Sequence, residues 1–326
     1  MSHHALHCLF PLFHHPLVRL FPHWAAAQHI FDSQIRLHGR DPAASLVRVA
    51  PRAGESALRT DDILAAIAAH GAECALVCFS GVQFYSGQFF DVRAITAAAH
   101  AQGCLAGFDL AHAAGNVELR LHEWDVDFAC WCSYKYLNSG PGGIAGAFVH
   151  ARHAQRRPAL AGWWGQDASV RFQMLAEHQP RAGAQGFQLS NPAVLPTVCL
   201  LASLEVFDEA GGMRALRAKS EALTAYLELL LHRLINTNGQ QRVRILTPAD
   251  PAQRGCQLSL SFALPVGDVH AAIEAAGVVC DIRRPSVMRI APAPLYNSFA
   301  DVRRFVALLE RALADEAVSG GAANAQ

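Results

Sequence analysis

The chain lacks a surplus of either charge, with 27 basic residues matching 27 acidic ones. That balance supplies no field to steer nucleic acid or an anionic membrane, so neither partner is expected. No apolar run is long enough to cross a bilayer. Residues 1–28 also lack the basic start and continuous apolar centre of a secretory leader. Arg19 is their only fixed positive side chain, and His3, His4, His7, His14 and His15 are interleaved with Leu, Phe and Pro. These histidines have no regular helical spacing, so an irregular segment is expected there in place of a metal site. The nine cysteines are an odd number without paired metal-ligand spacing, a pattern that points to thiols in a reducing cytoplasm. Cys130 and Cys132, flanking Trp131 on one face of an expected strand, read as packing residues.

At 326 residues, 52% of them hydrophobic, the chain can bury a large core in more than one domain. From Asp61 onward helical and apolar segments alternate. A helix over Asp61 to His70, with Thr60 as its N-cap, precedes the apolar strand Cys74 to Phe79. Helix Asp91 to Gln102 and strands Cys104 to Asp109, Phe128 to Cys132 and Ile144 to Val149 continue the repeat. Such alternation implies crossovers and an α/β fold with a mostly parallel sheet. Long helices then follow, Val194 to Glu209 and Met213 to Leu234, with the strictly alternating Gln257 to Phe262, helix Asp268 to Ala276, two short strands and a last helix Asp301 to Leu313. The expected organisation is an irregular segment over 1–28, a large domain over 29–190, a helical connection and smaller C-terminal α/β domain over 191–316, and a loose Ala/Gly tail over 317–326.

Lys135 follows Asp109 by 26 residues, and Gly140-Pro-Gly-Gly143 comes directly after it. Both residues are placed at the carboxyl ends of expected strands, where open α/β sheets hold their ligands. A pyridoxal phosphate site needs an amine to hold the cofactor aldehyde and a carboxylate to keep the pyridine nitrogen protonated, so the pair reads as one. Lys135 might otherwise be counted among ordinary solvated lysines, and Asp109 as a helix cap. A carboxylate at the end of a buried strand nevertheless needs a cationic partner to offset its desolvation.

The words around this pair are longer than such a pattern requires. They run Phe108-Asp-Leu-Ala-His112-Ala-Ala-Gly-Asn116, Trp131-Cys-Ser-Tyr134-Lys135-Tyr-Leu-Asn138 and Gly142-Gly-Ile-Ala-Gly-Ala-Phe148, with Ser80-Gly-Val-Gln-Phe-Tyr-Ser-Gly87, Gly162-Trp163-Trp-Gly, Leu189-Ser-Asn191-Pro, Arg254-Gly-Cys-Gln-Leu and Arg289-Ile-Ala-Pro-Ala-Pro-Leu-Tyr elsewhere. Over roughly residues 30 to 315 the chain resembles the kynureninases, pyridoxal phosphate enzymes of fold type I and the class V aminotransferase-like group. The resemblance implies cleavage of L-kynurenine or 3-hydroxykynurenine, within tryptophan catabolism and NAD biosynthesis, to anthranilate or its 3-hydroxy form and L-alanine. It implies a cytoplasmic homodimer with no metal. It implies that Lys135 and Tyr134 are catalytic, that Ser80, Asp109, His112, Tyr134, Lys135, Trp163 and Asn191 bind the cofactor, and that Arg289 holds the substrate carboxylate. Arg283 and Arg284 read as solvated strand-end charges.

The resemblance further implies a longer chain, whose segment ahead of Ser33-Gln34 carries a hydroxyl-rich phosphate loop and a Phe-Pro turn stacking on the cofactor ring. Phe21-Pro22-His23-Trp24 lacks the acid of that turn, so an N-terminally truncated or aberrant start is expected. Two other readings compete. One is a related cysteine desulfurase-like or aminotransferase-like enzyme, which would want a reactive cysteine in a mobile loop that the sequence does not offer. The other is an impaired fragment serving only as a binding or dimer-interaction protein.

Overall fold

The computed structural model describes residues 17–19, 25–237 and 242–323, with side chains over 29–236 and 242–314. The chain divides into two compact units. The first comprises residues 1–81 and 90–206, the second residues 82–89 and 207–326. The boundary therefore falls at 206/207, inside a helix, where the sequence suggested 190/191. The short segment 82–89 joins the second unit although it follows directly on a strand of the first.

In the first unit β1 (Leu17–Arg19), α1 (Ala25–Leu37), the one-turn α2 (Pro42–Ser45) and β2 (Leu46–Val47) precede the repeat foreseen from sequence. α3 (Thr60–His70), β3 (Leu76–Ser80), α4 (Val92–Ala101), β4 (Leu105–Asp109), β5 (Phe128–Cys132) and β6 (Ala145–Val149) complete it, and α5 (Val194–Glu209) ends it. The sheet order is β2-β1-β3-β4-β5-β6. Every pairing is parallel except β5 with β6, where the edge strand runs antiparallel. All five residues of β3 are buried, as expected of a central parallel strand covered on both faces. Gly107 in β4 is required by packing, because a Cβ there would lie 2.1 Å from the ring of Phe128 on β5.

Several sequence expectations shift here. Residues 17–19 form a strand inside the segment 1–28 expected to be irregular, whereas His3, His4, His7, His14, His15 and Phe21 to Trp24 lie outside the described residues. Thr60 is the first residue of α3 and not its cap; Arg59 holds that place without a side-chain bond. Asp91, by contrast, caps α4 by accepting from the Ala94 amide at 2.9 Å.

The amino ends of β4 and β5 are locked by one carboxylate. Asp127, just ahead of β5, has a side chain only 2% exposed. Its Oδ2 accepts from the Ala106 amide of β4 at 2.7 Å and faces His100 Nε2 of α4 at 2.8 Å. Its Oδ1 faces His153 Nε2 at 2.6 Å and accepts from Arg152 Nη2 at 2.9 Å. Burial pushes this carboxyl up, but the Ala106, His153, His100 and Arg152 hydrogen bonds together hold it below the usual range. Asp125 belongs to the same cluster, bonded to Arg152 from a left-handed backbone position (φ 60°).

The second unit contains α6 (Gly212–Thr237), β7 (Val243–Ile245), β8 (Leu258–Phe262), α7 (Val266–Ala275), β9 (Asp281–Arg283), β10 (Val287–Ile290) and α8 (Phe299–Ala323). Its sheet, ordered β7-β8-β10-β9, is antiparallel throughout. β7 had no clear signal in the sequence. Leu223, Leu227 and Leu231 repeat every four residues along α6, and all three are completely buried with Leu258, Leu260 and Leu309 in this unit's core. α8 continues well past Leu313 to Ala323, so most of the segment expected as a loose tail is helical.

Candidate active site

The carboxyl ends of β3, β4 and β5 carry the chemistry-bearing residues of the first unit. Register places Ser80 opposite Asp109 and Asp109 opposite Cys130, so the serine and the aspartate end neighbouring strands at one level. Ser80 is buried and Asp109 half-buried. Asp109 Oδ1 accepts from the Ala111 amide at 2.9 Å, which turns the chain away from the strand. Its Oδ2 accepts nothing among the described residues, leaving a half-buried carboxylate oxygen open to a cationic donor.

The turn after Asp109 holds His112, whose carbonyl accepts from Asn116 Nδ2 at 2.9 Å. The His112 ring meets Tyr136 edge-on, with centroids 5.9 Å apart. Gly115 makes that approach feasible. It adopts φ +81°, and a Cβ there would sit 2.7 Å from the Tyr136 carbonyl. The turn with His112 is thereby seated against the backbone that follows Lys135.

Beyond β5, fully buried Ser133 anchors the lysine loop. Its Oγ bonds the Ile144 carbonyl at 2.5 Å and Ser139 Oγ at 2.6 Å, and the Asn138 amide closes back on the Lys135 carbonyl at 3.1 Å. Lys135 is half-buried, its Nζ 5.8 Å from the Tyr134 ring centroid. A decisive sequence signal was overlooked here. The chain has only two lysines, Lys135 and Lys219, against 25 arginines (27 − 2), so Lys135 is not one of many solvated lysines. Lys219 is exposed in the second unit, donating to the Pro294 carbonyl at 2.5 Å.

Tyr134 is partly exposed, and burial raises its phenol above the usual value, assisted by the Cys132 thiol and the Asp109 carboxylate. At neutral pH it is a proton donor. Cys130 and Cys132 are buried, and burial drives the Cys130 thiol well above its usual value, with Asp109 adding to it, which leaves it unreactive. Trp163, in a short turn, packs edge-on against Phe172 with centroids 5.7 Å apart. Gly162 lets that turn touch the Leu189 carbonyl, which a Cβ would meet at 2.1 Å, so Trp163 and exposed Asn191 stand on adjoining segments.

Arg289 lies in the second unit, on β10 between Ser259 of β8 and Asp281 of β9. Its Nε and Nη2 grip the two Asp281 oxygens at 3.0 and 2.6 Å, and Nη1 donates to the Phe84 carbonyl at 2.8 Å. Arg283 also bonds Asp281 Oδ1, at 2.5 Å, and is not a free strand-end charge. Burial would raise the Asp281 carboxyl, but Arg289 and Arg283 hold it below the usual range. Sequence reading passed over Asp281 altogether. Opposite charges placed across an expected two-strand hairpin, Asp281 and Arg289, were the available signal.

Residues 216–309 match the family model for the kynureninase C-terminal domain. Over 294 residues the chain is 56% identical to a kynureninase of Nematostella vectensis, covering 87% of this chain and 63% of the relative. It is 55% identical to that of Mus musculus over 86% of this chain and 61% of the relative. With a kynureninase of Eremothecium gossypii the identity is 54% over 301 residues, 87% of this chain and 67% of the relative. The chain spans about three-fifths of the length of the first of these curated relatives. Among solved structures, the cysteine desulfurase CsdA of Escherichia coli superposes with a TM-score of 0.76 at 17% identity, over 96% of this chain and 77% of that one. The cystine C-S lyase C-DES gives 0.73 at 19%, over 95% and 78%. These structural likenesses establish a fold type I α/β architecture, and the far higher identity to the other group fixes the family within it: this chain belongs to the kynureninases.

Proposed function

We propose that the chain binds pyridoxal 5'-phosphate and hydrolyses L-kynurenine, or its 3-hydroxy form, to anthranilate, or 3-hydroxyanthranilate, and L-alanine. The observation that carries this reading is Lys135, the first unit's only lysine, held beyond β5 while Asp109 ends the adjacent strand with one oxygen open. The donor set fits the cofactor. There is one amine for its aldehyde, one open carboxylate oxygen for its ring nitrogen, and His112, Ser80, Tyr134, Trp163 and Asn191 to surround it. Pyridoxal phosphate, when bound, supplies an electron sink for the substrate α-carbon.

The protein's own groups do the rest. Arg289 holds the substrate carboxylate. Lys135, displaced by the substrate amine, moves the proton at the α-carbon. Water adds to the γ-carbonyl, where the Tyr134 phenol enters as a proton donor. Breaking the bond between the β- and γ-carbons then releases anthranilate, and reprotonation at the β-carbon leaves alanine. The chain works in the cytoplasm as a homodimer. α5 supports the dimer, because it exposes Val194, Leu195, Val198 and Leu201, each more than half accessible, on an apolar helix of a kind normally covered. Among the described residues no helix is long and apolar enough to cross a membrane.

Reduction with borohydride in the presence of pyridoxal phosphate tests the assignment, since two lysines leave a two-way choice. The label is expected on Lys135, together with anthranilate fluorescence on adding kynurenine. Label confined to Lys219 would overturn the reading.

A further inference from the structure

The guanidinium of Arg289 is held on two edges before any ligand arrives. Asp281 takes the parallel fork of Nε and Nη2. The Phe84 carbonyl takes Nη1, and that carbonyl is itself fixed by surrounding bonds within the second unit. Gln257 Nε2 donates to Phe84 O at 2.9 Å, Ser259 Oγ to Tyr85 O at 2.5 Å, and Thr247 Oγ1 to Ser86 O at 2.6 Å. A guanidinium has five N–H donors, of which three are engaged here, leaving one on each terminal nitrogen. Two arginines share one aspartate, so the trio keeps a net charge of +1. Two remaining donors and one residual positive charge match a single carboxylate.

We propose that Asp281 is a positioning residue, which together with the Phe84 carbonyl presents the terminal edge of Arg289 to the α-carboxylate of an amino-acid substrate. The inference rests on the kynurenine-cleaving reading for its substrate, and concerns a residue which that reading does not use. An arginine loses rotamer freedom when it clamps a ligand. Ordering it in advance removes that cost from binding and leaves the bond-breaking step untouched. Asp281 is partly exposed, so its worth lies in this ordering more than in the stability of a surface ion pair.

The test compares wild type with Asp281→Asn and Asp281→Glu, each loaded with pyridoxal phosphate. For kynurenine, Asp281→Asn is expected to raise KM roughly tenfold with kcat within about twofold, and Asp281→Glu to restore part of the loss. An unchanged KM overturns the proposal. So does a lower KM, which would mean that Asp281 competes with substrate for Arg289. A second readout uses the cofactor-free protein labelled with 15N-arginine, the Arg289 signal being assigned by its absence in Arg289→Lys. Its Nε–H should exchange slowly with water in wild type and faster in Asp281→Asn. Equal exchange rates sink the clamp. If wild type releases no anthranilate, the kynurenine reading fails, and the exchange measurement still decides the role of Asp281.

Discussion

Replacing Asp127 with asparagine tests how the first unit holds its strands in place. Each carboxylate oxygen serves two donors, Ala106 N with His100 Nε2 on one, and His153 Nε2 with Arg152 on the other. Whichever way an amide is turned, its NH2 faces two of them. Each histidine can turn its Nε2 into an acceptor, so stranding the remaining donor, the Ala106 amide or the Arg152 guanidinium, at about 1–3 kcal/mol, with loss of the charge opposite Arg152, gives a destabilisation of about 2–4 kcal/mol at pH 7. The native carboxyl titrates below its unfolded value of about 3.9. Its contribution is therefore complete above that value and fades as pH falls through the native one. Trp124, Trp131, Trp163 and Trp164 all lie in this unit and the second unit has no tryptophan, so urea unfolding followed by tryptophan fluorescence reads it selectively. The gap between wild type and Asp127→Asn should be wide at pH 7 and narrow towards pH 3. Equal stability at pH 7, or a gap independent of pH, would refute the reasoning.

The parts of the molecule legible in the sequence are those where one physical signal dominates. β3, β4 and β5 are continuous apolar runs, and Leu223, Leu227 and Leu231 mark α6 by spacing alone. β1, β2 and β7, two or three residues long, hold their places through neighbours distant in sequence, which no local pattern encodes. The antiparallel turn of β6 is invisible for the same reason, since Ile144 to Val149 is equally apolar in either direction. The placement of Asp109 at the end of β4 and of Lys135 just beyond β5 was readable because each closes a continuous apolar run. For Asp281 the sequence offered only opposite charges on an expected hairpin, and its pairing depends on the register that sets it against Arg289. The pairing of Asp125 with Arg152 was equally hidden, since it joins residues 27 apart.

Two expected outcomes concern the second unit's core and the candidate site. Leu227→Ala removes a fully buried side chain from the α6 stripe and should cost about 2–5 kcal/mol, seen by circular dichroism in urea as a lower midpoint; a change within about 0.5 kcal/mol, the range of surface substitutions, would mean that the stripe does not form this core. Asp109→Ala addresses the electronics of the site. Asp109 Oδ1 holds the turn through Ala111, and the proposed function assigns Oδ2 to the ring nitrogen of pyridoxal phosphate. Asp109→Asn offers the same turn-holding oxygen but no charge, so it separates the two functions that alanine removes together. Both variants should bind pyridoxal phosphate more weakly and release anthranilate from kynurenine at least about 100-fold more slowly, in the range found for positioned acid–base groups. Only alanine should add a loss of stability. Asp61→Asn serves as the control, because Asp61 is exposed in the first turn of α3, whereas Asp125 is bonded to Arg152 and cannot play that part. If Asp109→Asn keeps wild-type turnover while Asp109→Ala loses it, the carboxylate is holding a turn and not a pyridinium, and the assignment of the site's electrostatics is wrong.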